Sequence, residues 1–223
     1  MIKNYKDNWF YKFLLKWRIK YEQLKTIKEW GKNGRPVPPP HIIKQRNLIR
    51  YAEKYQLKIL VETGTYSGDM IEAMKGHFAH IYSIELEKVL CDRARERFKK
   101  ESHIELIHGD SGRELGKVIN KLNHPALFWL DGHYSGGETA MGEKETPIYE
   151  ELRHVLADCR NHVIIIDDAR LFGSDPAYPT LPELEGFIKA MRPEMKISVA
   201  DDSIRVESYG LTGPARPEYI QKS

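Results

Sequence analysis

Short runs of apolar residues alternate with longer segments of helical periodicity from Lys58 onward. Short runs rich in β-branched residues predict strands, as at Ile59–Val61 and Ile81–Ile84, whereas apolar residues every three or four positions predict helices, as at Lys88–Lys100. This alternation predicts right-handed βαβ crossovers and a mostly parallel sheet with helices on both faces. The same pattern predicts strands at Ile104–Ile107, Ala126–Leu130 and the run HVIIID (162–167), and helices at Asp69–Lys75, Arg113–Lys121, Pro147–Ala157 and Leu181–Met191.

The last two apolar runs, Lys196–Ala200 and Ile204–Glu207, follow a different pattern. Only the three polar residues 201–203 separate them, which leaves room for a tight turn and none for a crossover helix. We therefore expect an antiparallel hairpin to complete a seven-stranded α/β sheet.

The N-terminal segment has a character of its own. Aromatic and aliphatic residues recur at helical spacing over Trp9–Trp30 and are interleaved with lysines, which predicts an amphipathic basic helix. The proline-rich run Gly31–Pro40 predicts a stiff linker, and His41–Tyr55 a second helix. We divide the chain into an extension at 1–40 and a main domain at 41–223. The extension could be a cap over the site, a homodimer contact or a peripheral contact with an anionic membrane surface, and we favour the first two.

Composition limits the classes of partner. The formal net charge is only +3, from 35 Lys and Arg against 32 Asp and Glu, so no nucleic-acid partner is predicted. Two cysteines do not form a disulfide framework, and no apolar run of about 20 residues or signal-peptide pattern is present. These features predict a cytoplasmic protein without a transmembrane segment.

Polar residues follow several predicted strands at the positions where open α/β sheets bind ligands. The stretch LVETGTYSGDM contains Gly64 and Gly68, which permit positive φ and close approach of a ligand to the backbone. Glu85 ends the second strand, where a carboxylate can accept both hydroxyls of a ribose, and Asp110 with Ser111 follows the third. The alternative interpretation is an ordinary glycine turn with solvated acids.

The order of these features resembles the class I, Rossmann-like S-adenosylmethionine-dependent methyltransferases. The matching features are the glycine turn after the first strand, an acid after the second, Gly-Asp-Ser after the third and an aspartate after the fourth, together with the terminal hairpin. The resemblance covers Lys58 to about Tyr209. It implies that Glu62, Gly64 and Gly68 line the methionine part of the cofactor S-adenosylmethionine. It further implies that Glu85 binds the ribose and that Asp110 with Ser111 binds the adenine. The implied cofactor-binding set is Glu62, Gly64, Thr65, Tyr66, Ser67, Gly68, Glu85, Asp110, Ser111 and Asp131.

The stretch VIIIDDARLF contains a second signal. Adjacent carboxylates after an apolar strand repel each other, and their desolvation is costly without a cation, so a positive group is expected beside Asp167 and Asp168. With Asp131 from the neighbouring strand end they supply three oxygen ligands suited to Mg²⁺ or another divalent cation. The pattern LDG followed by IIDD resembles the metal-dependent O-methyltransferases. In the alternative interpretation, Asp168 caps a turn and Asp167 pairs with Arg170.

Beyond Asp131, the sequence offers further candidates for catalysis. His133 follows Asp131 by two residues, and an imidazole of ordinary pKa suits a general base that accepts a hydroxyl proton. The glycine-containing loop at 134–147 is long enough to cover a substrate. Arg170 and Tyr178 are candidate substrate contacts.

The sequence thus predicts a Mg²⁺-dependent O-methyltransferase acting on a hydroxyl of a small polar, sugar-like acceptor. Asp131 and His133 are the expected catalytic residues. The first alternative is a metal-dependent hydrolase of a phosphorylated substrate. The second is a non-catalytic binding protein that works through the N-terminal aromatic helix.

Overall fold

In the computed structural model of the chain, residues 9–131 and 146–208 are described, except for the side chains of residues 9–12 and 16. They form a seven-stranded sheet of order β3-β2-β1-β4-β5-β7-β6. The strands are β1 (Ile59–Thr63), β2 (His80–Glu85), β3 (Ile104–His108), β4 (Leu127–Leu130), β5 (Val163–Ile166), β6 (Met195–Ala200) and β7 (Ser203–Ser208). The α-helices are α1 (Trp9–Lys32), α2 (His41–Tyr55), α3 (Asp69–Met74), α4 (Lys88–Phe98), α5 (Ser111–Lys121), α6 (Ile148–Ala157) and α7 (Leu181–Met191).

The strand order creates one crevice in the sheet. Strands β1 to β5 are parallel, and β1 lies between β2 and β4, so the chain builds outward in one direction to β3 and in the other to β5. Strand β7 pairs antiparallel with both β5 and β6, which confirms the predicted hairpin and the predicted fold class. In such sheets the ligand crevice opens at the carboxyl ends of the two strands where the order reverses, here β1 and β4.

Both faces of the central strands β1, β4 and β5 are buried, which explains their continuous apolar runs. In β4, Phe128 belongs to the hydrophobic cluster formed with α5, α6 and α7, whereas Trp129 belongs to the cluster formed with α2, α3 and α4. Successive side chains of a strand point to opposite faces, so a strand covered on both sides has apolar residues at consecutive positions.

Most differences from the predicted elements are shifts of one to three residues at their ends. The strand ladders include flanking polar residues such as His80 and Glu85, because pairing depends on backbone hydrogen bonds rather than on side-chain polarity. Helix α5 begins at Ser111 because Asp110 accepts a hydrogen bond from the backbone N–H of Arg113 and so caps the helix.

Helix α1 continues past the predicted break at Gly31 and ends at Lys32. The Trp30 side chain is buried, and its indole N–H donates to the carbonyl oxygen of Pro36 at 2.8 Å. A glycine within a helix costs about 1 kcal/mol relative to alanine, and the anchored indole offsets this. Within 9–131 and 146–208, no helix combines the length and apolar character needed to cross a bilayer.

His162 links the start of β5 to β4 in the core. Its Nδ1 accepts the backbone N–H of Ala126 at 3.0 Å, and its ring packs edge-on against Phe128, with centroids 4.9 Å apart. Burial lowers the pKa of His162 to about 4. In the unfolded chain, His162 therefore binds a proton below pH about 6.5. In the folded chain it stays neutral until the pH falls to its lowered pKa.

This burial predicts a pH-dependent contribution of His162 to stability. Below pH about 6.5 the free energy of unfolding should fall by about 1.4 kcal/mol per pH unit on account of this residue, hence by about 2 kcal/mol at pH 5. His162→Asn retains an acceptor for the Ala126 N–H but cannot titrate. Urea unfolding at pH 7.5 and pH 5 should show a smaller acid-induced loss for this variant than for the wild type. His124→Asn, at an exposed histidine, should behave as wild type; equal losses in all three proteins would contradict the assignment.

A candidate active site at the carboxyl ends of the strands

Three aspartates converge at the ends of β4 and β5. The sheet ladder continues one residue past each strand, since the Asp131 N–H donates to the Thr63 carbonyl at 3.2 Å and the Asp167 N–H to the Leu130 carbonyl at 3.0 Å. One carboxylate oxygen from each of Asp131, Asp167 and Asp168 lies within 4.8 Å of the other two. We call these three residues the acidic cluster; Asp167 and Asp168 are buried and Asp131 is half-buried.

The backbone of Asp168 allows two adjacent residues to contribute to the same cluster. Adjacent residues of an extended strand point to opposite faces. Asp168 instead has φ +54° and ψ +47°, a left-handed conformation that ends the extended chain. Such a conformation is unfavourable for most residues other than glycine, although aspartate tolerates it better than most.

A lysine from α2 reaches the acidic cluster. The Nζ of Lys44 donates to Oδ2 of Asp167 and lies 3.5 Å from Oδ1 of Asp168. Burial would lower the pKa of Lys44, but attraction to the two carboxylates raises it, so the ammonium is charged. Sequence analysis missed Lys44, although it lies four residues before Leu48 and seven before Tyr51, on the buried face of α2.

Arg170 is the second cation near the cluster. Its guanidinium donates to Oδ1 of Asp168 at 2.6 Å and to Oδ2 of Asp202. The sequence-based alternative paired Arg170 with Asp167, but the structure pairs it with Asp168 and assigns Asp167 to Lys44. Both contacts are made by Nη1 alone, so the other N–H groups of the guanidinium are not used by them, and the role of Arg170 as a substrate contact stays a prediction.

Asp167 still lacks a partner for one oxygen. Its Oδ1 is buried and accepts no hydrogen bond from the described residues, and burial together with the charge of Asp131 raises its pKa to about 7. A buried carboxylate oxygen without a partner is unfavourable by about 1–3 kcal/mol. Three hard oxygen donors and one unsatisfied lone-pair site fit a hard divalent cation such as Mg²⁺.

The glycine turn after β1 has the predicted backbone conformation. Gly64 and Gly68 have φ of +86° and +79°. A Cβ at Gly68 would lie 2.7 Å from the ring of Phe98, so this position requires glycine for its packing as well as for its φ. Between them, Tyr66 also has a positive φ, of +48°, and its side chain is 70% exposed.

The predicted cofactor residues of the turn make defined contacts. Ser83 donates to Glu62 at 2.6 Å and shares a hydrogen bond of 2.6 Å with Thr65. Burial raises the pKa of Glu62 to about 8, so its carboxyl group is protonated at neutral pH until a cation approaches. The exposed Ser67 donates to Asp69 at 2.9 Å.

Two backbone amides fix the orientation of Glu85. Its Oε2 accepts the N–H of Tyr66 at 2.8 Å, and its Oε1 accepts the N–H of Glu87 at 2.9 Å. A carboxylate has about four lone-pair sites, so each oxygen can accept one further hydrogen bond from a ligand.

The residues after β3 lie at the start of α5. Asp110 accepts the N–H of Arg113 at 3.2 Å, and its side chain remains exposed. Ser111 is the first residue of the helix and is half-buried.

A small depression adjoins the acidic cluster. Glu151 of α6 lies there with its carboxyl group buried, and burial raises its pKa to about 7. Tyr178, a substrate contact predicted from the sequence, lines the same depression. Burial raises the pKa of Tyr178 to about 12, so its hydroxyl stays protonated. Sequence analysis missed Glu151, although an acid three residues after Ile148 and four before Val155 lies on the apolar face of α6. The lining comprises Leu130, Asp131, Thr146, Ile148, Glu151, Ile166, Asp167, Phe172 and Tyr178.

Two sequence-based predictions lie outside the described residues. These are His133 as the general base and nearly all of the covering loop at 134–147, of which only residues 146 and 147 are described. They remain predictions.

Several solved methyltransferases have the same fold. An O-methyltransferase from Bacillus cereus in complex with S-adenosylhomocysteine is 14% identical, with a TM-score of 0.56 over 83% of this chain and 90% of that chain. An O-methyltransferase from Streptomyces achromogenes involved in tomaymycin synthesis, in complex with S-adenosylmethionine, is 17% identical, with a TM-score of 0.56 over 83% and 88%. A methyltransferase from Podospora anserina bound to S-adenosylhomocysteine is 18% identical, with a TM-score of 0.53 over 86% and 94%.

These likenesses confirm the predicted Rossmann-like methyltransferase fold. At such low identity they establish the fold and leave the chemistry to the residues of the site. No protein-family model matches the chain, and no curated protein matches it by sequence.

Proposed function

We propose that this chain is an S-adenosylmethionine-dependent O-methyltransferase. The observation that carries the proposal is the placement of two sites around one crevice. Glu85, held by two backbone amides, ends β2 beside the glycine turn, and the acidic cluster ends β4 and β5. The solved structures with the same fold include two that bind S-adenosylhomocysteine and one that binds S-adenosylmethionine.

We assign the cofactor to the turn and the ends of β1 to β3. Glu85 would accept the two ribose hydroxyls on its remaining lone pairs, and Glu62 would ionise beside the ammonium of the methionine part. The remaining members of the proposed set shape the crevice or contact the adenine. They are Gly64, Thr65, Tyr66, Ser67, Gly68, Asp110, Ser111 and Asp131.

The acidic cluster is the proposed site for Mg²⁺. Asp131, Asp167 and Asp168 would hold the ion, with the unsatisfied Oδ1 of Asp167 as the oxygen most in need of a cation. When bound, the ion supplies Lewis-acid polarisation that lowers the pKa of an acceptor hydroxyl. Until a metal ion binds, the ammonium of Lys44 neutralises part of the negative charge of the acidic cluster.

The chain positions the acceptor and removes its proton. Glu151 and Tyr178 place a carboxyl group and a phenol beside the acidic cluster, and these polar groups support the proposal of a small polar, sugar-like acceptor. His133, two residues past Asp131, is the proposed proton acceptor. Holding the acceptor oxygen in line with the methyl group can supply about 7–11 kcal/mol of the rate enhancement.

Binding of S-adenosylhomocysteine tests the proposal most directly. At about 100 times its dissociation constant, the ligand should stabilise the protein by about 2.7 kcal/mol, a rise in melting temperature of roughly 5–10 °C for a chain of this size. Adenosine triphosphate and nicotinamide adenine dinucleotide serve as control ligands and should give no comparable rise. Transfer of a labelled methyl group to a sugar-containing acceptor in the presence of Mg²⁺ would complete the test. Absence of binding would overturn the proposal, and phosphate release from phosphorylated substrates without S-adenosylmethionine would support the hydrolase instead.

A further inference from the structure

Helix α1 concentrates the exposed apolar side chains of the described residues. Of the twelve large apolar residues that are exposed there, seven lie in α1. Four of these, which we call the aromatic stripe, follow a spacing of three, four and three residues. They are Leu14, Trp17, Tyr21 and Leu24, with exposed fractions of 46%, 63%, 56% and 55%.

Among the described residues, the aromatic stripe faces away from the main domain. At about 100° per residue, the four side chains fall on one side of the helix. The opposite side, with Leu15 and Ile19, borders a groove whose other wall includes Pro40 and His41 at the start of α2. The side of α1 that approaches the main domain is therefore distinct from the stripe.

Positive charge is concentrated around the stripe. Helix α1 contains seven Lys and Arg against two Glu, a net charge of +5. Because the whole chain has a net charge of +3, the remainder carries −2. At the same angular increment, Lys20 lies along one edge of the stripe, and Arg18 and Lys25 lie along the other.

We propose that α1 docks on an anionic phospholipid membrane surface through the aromatic stripe. Trp and Tyr are enriched at the level of lipid headgroups, and lysine and arginine can extend from the edges of such a helix to anionic phosphates. A second copy of the chain is disfavoured as the occupant, because it would bring two helices of net charge +5 together. The proposal does not depend on the proposed enzymatic function.

Vesicle binding by the full chain tests this inference. In co-sedimentation at low salt, the protein should bind vesicles with about 30% phosphatidylglycerol at least about tenfold more tightly than pure phosphatidylcholine vesicles. Raising the salt concentration should weaken the binding, and tryptophan emission should shift to the blue as Trp17 leaves water. Failure to bind anionic vesicles would overturn the proposal.

Two variants with matched controls distinguish the contribution of the apolar stripe to vesicle binding from that of the neighbouring positive charges. Combined Trp17→Ser, Tyr21→Ser and Leu24→Ser should reduce binding at least about tenfold. Combined Val89→Ser and Val199→Ser, at exposed apolar positions outside α1, should leave it unchanged. Combined Lys20→Glu and Lys25→Glu should weaken binding to anionic vesicles, whereas Arg93→Glu with Lys100→Glu, at exposed basic positions on and after α4, should not.

The state of association distinguishes the competing occupant. Light scattering after size exclusion should give the same mass for the wild type and the triple serine variant, and circular dichroism should show that the variant is folded. Vesicle binding that survives the triple substitution would overturn the proposal. A wild-type dimer that the same substitutions dissociate, without vesicle binding, would assign the stripe to a second copy of the chain.

Discussion

Asp167→Asn is expected to lower methyl transfer at least about 100-fold and to weaken Mn²⁺ binding by a similar factor, while S-adenosylhomocysteine binds almost as in the wild type. Asp167 is the cluster residue with an unsatisfied buried oxygen, and asparagine keeps its size but removes the charge. The proposed cofactor contacts lie mainly at the ends of β1 and β2, so they should be little affected. Titration calorimetry without cofactor would measure the metal affinity, and turnover with and without a chelator would measure the metal requirement.

Two further variants make this result specific to the acidic cluster. Asp92→Asn, at an exposed aspartate of α4, should change neither quantity. Lys44→Met should act in the opposite direction to Asp167→Asn and tighten Mn²⁺ binding by about tenfold, because the charged ammonium at Oδ2 of Asp167 repels a second cation at the same carboxylate. Lys54→Met, which removes a lysine of the same helix paired with Glu207, serves as its control. Full activity of Asp167→Asn, or of the wild type in chelator, would remove the metal from the mechanism.

Glu85→Gln should weaken S-adenosylhomocysteine binding about 100-fold. Each hydrogen bond to a charged acceptor contributes about 1.5–3 kcal/mol, and the substitution impairs two ribose contacts. The amide NH₂ would also face one of the backbone N–H groups that now hold the carboxylate, from Tyr66 or Glu87. Calorimetry with S-adenosylhomocysteine provides the measurement.

The matched control for this variant is Glu87→Gln, two residues further along the chain. Glu87 is an exposed glutamate that caps α4 through a 3.3 Å hydrogen bond from the Val89 N–H, so its loss should affect helix stability slightly and cofactor affinity hardly at all. Mn²⁺ binding should be unchanged in both variants. Affinity of Glu85→Gln within about threefold of the wild type would show that the ribose lies elsewhere.

The sequence was most informative where a local pattern has few structural solutions. A β-branched run such as Ile164–Ile166 favours a strand buried on both faces, and three polar residues between two predicted strands favour a tight turn, which residues 201 and 202 form in the structure. The glycine turn was predictable for the same reason, since Gly64 and Gly68 permit a backbone conformation that other residues adopt rarely. The position of the carboxylates was also predictable, because the carboxyl ends of parallel strands lie at the same edge of the sheet.

The partners of those carboxylates could not be read from the sequence. Lys44 lies 123 residues before Asp167 along the chain, and its contact exists only because α2 packs on one face of the sheet with its first turn close to the acidic cluster. The adjacent Asp167 and Asp168 indicated that a cation was needed but not which one. Glu151 was overlooked because a single acid in an apolar helical stripe acquires meaning only when its neighbours in space are known.

The sequence by itself thus determined the strands, the helices, the glycine turn and the residues that end each strand, because these depend on side-chain periodicity and on backbone preferences within a few residues. Only the tertiary structure decided the strand order, the insertion of Lys44 and the outward orientation of the aromatic stripe. Those features arise from the packing of segments far apart in the chain, for which no local pattern specifies the partner.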